Sequence, residues 1–245
     1  MDRMIYTAMS GAKATLSQQA TVAHNLAHAT TPGFRAQVQN LRAVAVQAPG
    51  LPTRAFAIDA TVGSDFTPGA VQRTERPLDV AVLGAGWLVV QAPDGSEALT
   101  RHGRLEVSAN GVLQTSQGYP VLGQGGTLTI PPETALTIGR DGSVSATRPG
   151  EPKQLVNLGG LRLVAPPTAQ LTRGADGLFR LRDGAAPAAD PTVQVAAGYL
   201  EDSNVNPADT LVQMIALGRQ FELQMRLLTT AEQNARAAGD LLTVS

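Results

Sequence analysis

No cysteine occurs in the 245 residues, which rules out disulfides, thiolate metal sites and a cysteine nucleophile together. Charge is scarce too. Only 16% of residues are charged, against roughly 25% in an ordinary soluble domain, so much of the outside is suited to lie against neighbours. The 19 basic and 20 acidic side chains leave a formal net charge of -1, and no overall field draws the chain to nucleic acid or an anionic membrane. Aromatics make up 4%, leaving Ala, Val, Leu and Gly to fill most of a core. No apolar run approaches the roughly 20 residues that span a bilayer. The opening MDRMIYTAMSGAKATLSQQA is broken by Ser, Gly, Lys and Gln, unlike the continuous apolar stretch of a cleaved secretory signal. The expectation is a soluble chain, not membrane-inserted, that would leave the cytoplasm without an ordinary signal peptide. Its length suits one sizeable domain or two small ones.

What is present begins with a helix. Ile5, Met9, Ala12, Leu16, Gln19, Ala23 and Leu26 alternate spacings of four and three, a seam of heptad period broken only by Gln19. Ala8, Gly11, Ala12, Ala20 and Ala23 keep this helix slim enough for close approach by a partner. Pro32 disfavours helical geometry at Thr31 and Gly33 suits a turn, which predicts an end near Ala29. The far end mirrors this. Asn206, Pro207 and Asp209 supply an N-cap, a first-position proline and a first-turn acid. Behind them Leu211, Met214, Gly218, Phe221, Met225, Leu228, Ala231 or Glu232, and Ala235 form a second seam. A helix over 207–242 would be about 54 Å long, the length of one that packs on other long helices.

Between the helices the pattern is that of strands. Asp94-Gly95, Asn110-Gly111, Asp141-Gly142, Asp176-Gly177 and Asp183-Gly184 suit tight hairpin turns. They separate apolar runs at 87–90, 127–130, 161–164 and 178–181. The predicted class is α+β: long terminal helices packing as a coiled-coil-like pair, with a central all-β domain, sandwich-like or a partly closed barrel. The expected division is a discontinuous helical domain at 1–35 and 200–245, an extended or irregular β connector at 36–76 carrying pieces such as Val44-Ala-Val46, and a β-rich domain at 77–199.

Chemical motifs are weak. His24 and His28 have the spacing of a zinc half-site, yet Asn25 stands where the zinc hydrolases place Glu, and His102 is the only other histidine. Ser10-Gly11-Ala12-Lys13 matches SxxK without a KTG strand. Gly84-Ala85-Gly86 has Val89 in place of a third glycine and runs into a strand. A glycosidase could place two acids at distant positions, but no carboxylate pair is marked by spacing. No catalytic residue, metal or cofactor is expected.

The stretch HNLAHATTPGFR resembles the N-terminal motif of bacterial flagellar rod and hook proteins. Asn25-Leu26-Ala27, Thr31-Pro32-Gly33-Phe34 and Arg35 match it, and His28 stands where that family usually has a second Asn. Ser203-Asn204-Val205-Asn206-Pro207, Arg76 to Val82, Gly86 to Val90, Asp94-Gly95, Thr100-Arg101 and Gly118 to Gly123 are similar to later family stretches. MDRMIYTAMSGA, TPGFRAQ and RQFELQM point to the proximal-rod branch, with the distal rod as near neighbour.

The resemblance implies a structural subunit of the basal-body rod, assembling helically through its terminal helices into a torque-transmitting shaft around an export channel. It implies export by the flagellar type III apparatus to a rod spanning the periplasm. Expected partners are copies of itself and other proximal- and distal-rod proteins, with surrounding rings as a further candidate. Ile5, Met9, Ala12, Leu16, Ala23 and Leu26 with Leu211, Met214, Phe221, Met225 and Leu228 become assembly positions. Asn25, Thr31, Pro32, Gly33, Phe34, Asn204, Asn206 and Pro207 become turn positions. The alternative from another class is a secreted adhesin or coiled-coil stalk with a β head.

Overall fold

Residues 2–45, 55–132, 134–147 and 155–243 are described by the computed structural model; Val46 lies outside them. The chain forms two units: one of residues 1–29, 36–65 and 205–245, the other of 30–35 and 66–204.

The first unit is built on α1 (Asp2–Ala27) and α2 (Pro207–Thr243), which pack on each other. Helix α1 stops two residues before Ala29. The His28 amide reaches both His24 O and Asn25 O, and Ala29 N bonds Leu26 O at 3.1 Å, so the last turn tightens before Pro32. The start of α2 is as read from sequence. Asn206 Oδ1 accepts from Ala208 N at 3.0 Å, and Asn206 Nδ2 donates to Asp209 Oδ2 at 2.8 Å. Where the helices meet, Thr15 Oγ1 donates to Gln224 Oε1 at 3.2 Å, and a Cβ on Gly11 would lie 3.2 Å from Gln224 Nε2. Gly11 and Thr15 of α1 thus face α2.

Strands β1 (Gln37–Ala45) and β2 (Ala55–Ser64) form an antiparallel ribbon with a register shift between Asn40 and Leu41. Asn25 pins the ribbon to α1. Its amide donates to Gln37 O and its carbonyl accepts from Gln37 N, each at 2.8 Å. A side-chain amide here makes the pair of bonds that a neighbouring strand would make. Gln39 Nε2 adds a bond to Ser17 Oγ at 2.8 Å.

The second unit carries sixteen further strands, numbered in chain order: β3 (Val71–Arg73), β4 (Val80–Val82), β5 (Trp87–Gln91), β6 (Glu97–Thr100), β7 (Leu105–Val107), β8 (Leu113–Thr115), β9 (Leu122–Gly123) and β10 (Gly126–Thr127) come first. They continue as β11 (Ala135–Ile138), β12 (Ser143–Thr147), β13 (Leu155–Gly160), β14 (Leu163–Val164), β15 (Leu171–Arg173), β16 (Phe179–Leu181), β17 (Val195–Ala197) and β18 (Tyr199–Glu201). A five-stranded sheet, β14-β5-β6-β16-β15, is joined by β11-β12-β13 and by the pairs β4–β17, β3–β18, β7–β8 and β9–β10. All pairings are antiparallel. The run Trp87-Leu-Val-Val90 is buried on both faces: Leu88 and Val90 enter the larger core, Trp87 and Val89 the smaller. A continuous apolar run, rather than an alternating one, is what two-sided burial requires. Each such side chain contributes roughly 1.5 to 3 kcal/mol.

Gly95, Gly111, Gly142, Gly177 and Gly184 all have positive φ, between 70° and 82°. The first four turn β5–β6, β7–β8, β11–β12 and β15–β16, whereas Gly184 follows β16 and leads into a stretch with no strand before β17 rather than a hairpin. The unit boundaries also differ from the expected ones. Residues 36–65 group with the helices because Asn25 and Gln39 tie the ribbon to α1, and 66–76 group with the β unit because β3 pairs with β18. Residues 30–35, expected with the helices, also belong to the β unit.

Candidate functional site

Within the β unit, Thr30–Arg35 forms a strap held beside the exit strand β18. Gly33 N donates to Glu201 O at 2.7 Å, and Asn204 N donates to Phe34 O at 3.3 Å. Gly33 sits at φ 68°, and a Cβ there would stand 2.2 Å from Arg101 O. Only glycine combines that backbone with that approach.

Beneath the strap lies a buried charge cluster. Arg35 and Glu201 are each 1% exposed at the side chain, with Arg35 Nη2 2.6 Å from Glu201 Oε1. Arg101 Nη1 bonds Glu201 Oε2 at 2.8 Å and Val82 O at 2.8 Å, and its Nη2 bonds Gly84 O. Gly69 N donates to Glu201 Oε1 at 3.0 Å. One carboxylate therefore serves two guanidiniums and a backbone amide. Burial holds Arg101 below its ordinary value, Glu201 acts against that, and the neighbouring Arg35 charge adds to it. Arg173 covers the strap from the side: its Nη1 donates to Arg35 O at 2.9 Å, and its guanidinium lies 4.5 Å from the Phe34 ring.

His102 completes the cradle. Nδ1 is 3.0 Å from Pro32 O and Nε2 is 2.7 Å from Ser116 Oγ. A carbonyl only accepts, so Nδ1 carries the proton and Nε2 accepts from the hydroxyl. Burial lowers the imidazole from its ordinary 6.5; Arg104 adds to this, while the Pro32 carbonyl and Asp79 oppose it. Unfolded chains begin to take up the proton near 6.5 and the folded one does so only at lower pH, so stability is full above 6.5 and falls as pH drops below it. Urea midpoints of the wild type should fall between pH 7.5 and 5.5, and those of His102→Gln should fall less. Equal slopes would show that His102 is not the titrating group.

Both ring nitrogens of His102 are engaged, and no group of three or more His, Cys, Asp or Glu forms a metal-holding cluster among the described residues. The His24 and His28 rings lie side by side, centroids 4.7 Å apart. Ser10 Oγ bonds Thr7 O at 2.8 Å within α1. Chemically, the cradle can orient and hold a chain segment.

The helical unit presents a different surface. The α1 seam divides: Ala12 is buried and Ile5 and Leu26 are half-buried, whereas Met9, Leu16 and Ala23 are exposed. With Gly11 and Thr15 turned to α2, the column at 9, 16 and 23 points away from it, because one neighbouring helix covers only one stripe. Tyr6, Met9, Lys13, Leu16, Ala20, Ala23 and Ala27 make a continuous exposed stripe at spacings of three and four. On α2, Met214, Phe221 and Leu228 are half-buried, while Leu211, Val212, Ile215, Leu223, Met225 and Leu227 are exposed. Of the expected turn residues, Gly33 and Phe34 are buried, Asn25, Thr31, Pro32 and Asn204 half-buried, and Asn206 and Pro207 exposed. Glu201, Arg173 and the role of His102 escaped the sequence reading. Glu201 lies 166 positions beyond Arg35, and no local pattern marks it.

Family models match three stretches: "Flagella basal body rod protein" at 5–35, "Flagellar hook protein FlgE/F/G D1 domain" at 81–146, and "Flagellar basal body rod FlgEFG protein C-terminal" at 196–241. The chain is 48% identical to the flagellar basal-body rod protein FlgF of Salmonella typhimurium and 47% to that of Escherichia coli, with both chains covered in full. It is 31% identical to the protein of the same description from Caulobacter vibrioides, over 99% of this chain and 98% of the other. With that identity over full length, and with the N-terminal, central and C-terminal family regions in order, the chain belongs to the FlgF family of flagellar basal-body rod proteins, structural components and not enzymes.

Proposed function

We propose that the chain builds the proximal part of the rod by helical assembly through the outward faces of α1 and α2, with copies of itself and other rod proteins as neighbours. The observation that carries this reading is the exposed apolar surface of those helices. Tyr6 and Met9 on α1 are 61% and 60% exposed, and Val212, Ile215 and Leu223 on α2 are 66%, 58% and 60% exposed. Burying each against a neighbour is worth roughly 1.5 to 3 kcal/mol, and a heterologous contact that does not close on itself produces a tube. Coiled-coil-like pairing of the terminal helices, a central export channel lined by them, and torque transmission across the periplasm follow as parts of the same reading. Delivery by the flagellar type III apparatus belongs to it as well, and ring proteins are further neighbours within it. No helix among the described residues is long and apolar enough to cross a membrane.

Segment-resolved hydrogen exchange on the free chain tests this. Faster exchange in 2–27 and 207–243 than in the β unit is expected of helices that pack on each other but lack their outer partners. Uniformly slow exchange would mean a self-sufficient fold, and the adhesin or stalk reading would take its place.

A further inference from the structure

The charge cluster under the strap has a consequence for the order in which the chain can fold. The strap docks among residues from three distant parts of the sequence, and the contributions differ in kind. His102 and Arg173 each bond a strap carbonyl, Pro32 O and Arg35 O. The Gly33 amide finds its acceptor on Glu201, and the Arg35 guanidinium finds its counter-ion there too. Without Glu201, seating the strap would bring the Arg35 cation beside Arg101 in a dry site with no anion between them. Arg35 Nε and Nη1 and Arg101 Nε find no hydrogen-bond partner, and the ion pairs of Arg35 Nη2 and Arg101 Nη1 with Glu201 carry the compensation for both cations. An uncompensated buried charge is among the most unfavourable arrangements in a protein interior.

We infer that Glu201 is a latch: the Thr30–Arg35 strap docks only after the chain has been laid down through residue 201, so the corner after α1 is fixed last within the β unit. Loop closure over 166 residues must come before the contact that rewards it. Strand β18 is itself positioned by pairing Val71 with Glu201 and Arg73 with Tyr199, so the pairing of β3 with β18 is the step that arms the latch. Asn204 N on Phe34 O then ties the outgoing chain to the incoming one. A chain synthesised or delivered N-terminus first therefore keeps its strap uncommitted until nearly all of it is present.

Pulse-labelled hydrogen exchange during refolding of the full chain tests the order. Amides of 33–35 should gain protection together with or after 71–73 and 199–201, and later than 87–91 and 97–100. Protection of the strap before β18 would overturn the inference. At equilibrium, Glu201→Gln should speed exchange at 33–35 by about 100-fold or more while leaving 87–91 protected. Arg35→Met keeps the Glu201–Arg101 pair and serves if the first variant does not fold. It should bring strap protection forward relative to 199–201 in the refolding experiment, because no second cation then waits for its counter-ion, while the Gly33 amide still finds its acceptor on β18. A strap that keeps wild-type exchange in Glu201→Gln, or wild-type order in Arg35→Met, would refute the latch.

Discussion

Replacing Gly33 with alanine is expected to remove the strap from its cradle and to cost the β unit about 3 kcal/mol or more. Two separate penalties meet at this position. An L-residue at φ 68° is in the left-handed region, worth roughly 1 to 2 kcal/mol by itself. The added methyl would also stand 2.2 Å from Arg101 O and 2.3 Å from its carbonyl carbon, and the backbone of this buried residue just past β6 has little room to yield. Because Gly33 N also bonds Glu201 O, any shift that relieves the overlap gives up that bond. Urea unfolding followed by the fluorescence of Trp87, the single tryptophan, reads the effect. An unchanged midpoint with a protected strap would mean that Gly33 is dispensable and the corner is not built as described.

The second large effect lies on the helices and has the opposite signature. Leu16→Glu and Leu211→Glu alter side chains 49% and 48% exposed in the chain alone, so the stability of the free protein should move by no more than about 0.5 kcal/mol. In the assembled rod the same carboxylates would be driven into an apolar contact with no partner, a cost of several kcal/mol per subunit. Swimming should therefore be lost on complementation while the purified variants unfold as the wild type does. Ala12→Glu supplies the contrast, since Ala12 is 7% exposed and its replacement should damage the free chain itself. Full motility with the two exposed variants would remove α1 and α2 from the assembly surface.

Much of this organisation was legible beforehand. The Asn206-Pro207 cap, the termination of α1 before Pro32, and the positive-φ glycines after Asp94, Asn110, Asp141 and Asp176 rest on interactions within a few residues, and sequence displays such interactions directly. The heptad seam was legible as a period but not as a direction. Whether Met9 and Leu16 face α2 or away from it depends on which stripe of α1 that helix covers, and the residues around Gly11 decided that. Asn25 was visible as part of a motif, yet its pairing with Gln37 needed the ribbon to return along the helix. Asp183-Gly184 looked like its four counterparts but had no strand to pair on its far side.

The cradle was the least legible part. Arg35, Arg101 and Glu201 come from the strap, the end of β6 and β18, and each is an ordinary charged residue in its own neighbourhood. Local chemistry by itself determined the elements and their caps: helix, ribbon, β unit, helix, with a corner at Thr31-Pro32-Gly33. Tertiary structure decided to which unit the corner belongs and which carboxylate neutralises its arginine. Those outcomes depend on burial, and a charge 166 residues away acquires its meaning only when both groups leave water together.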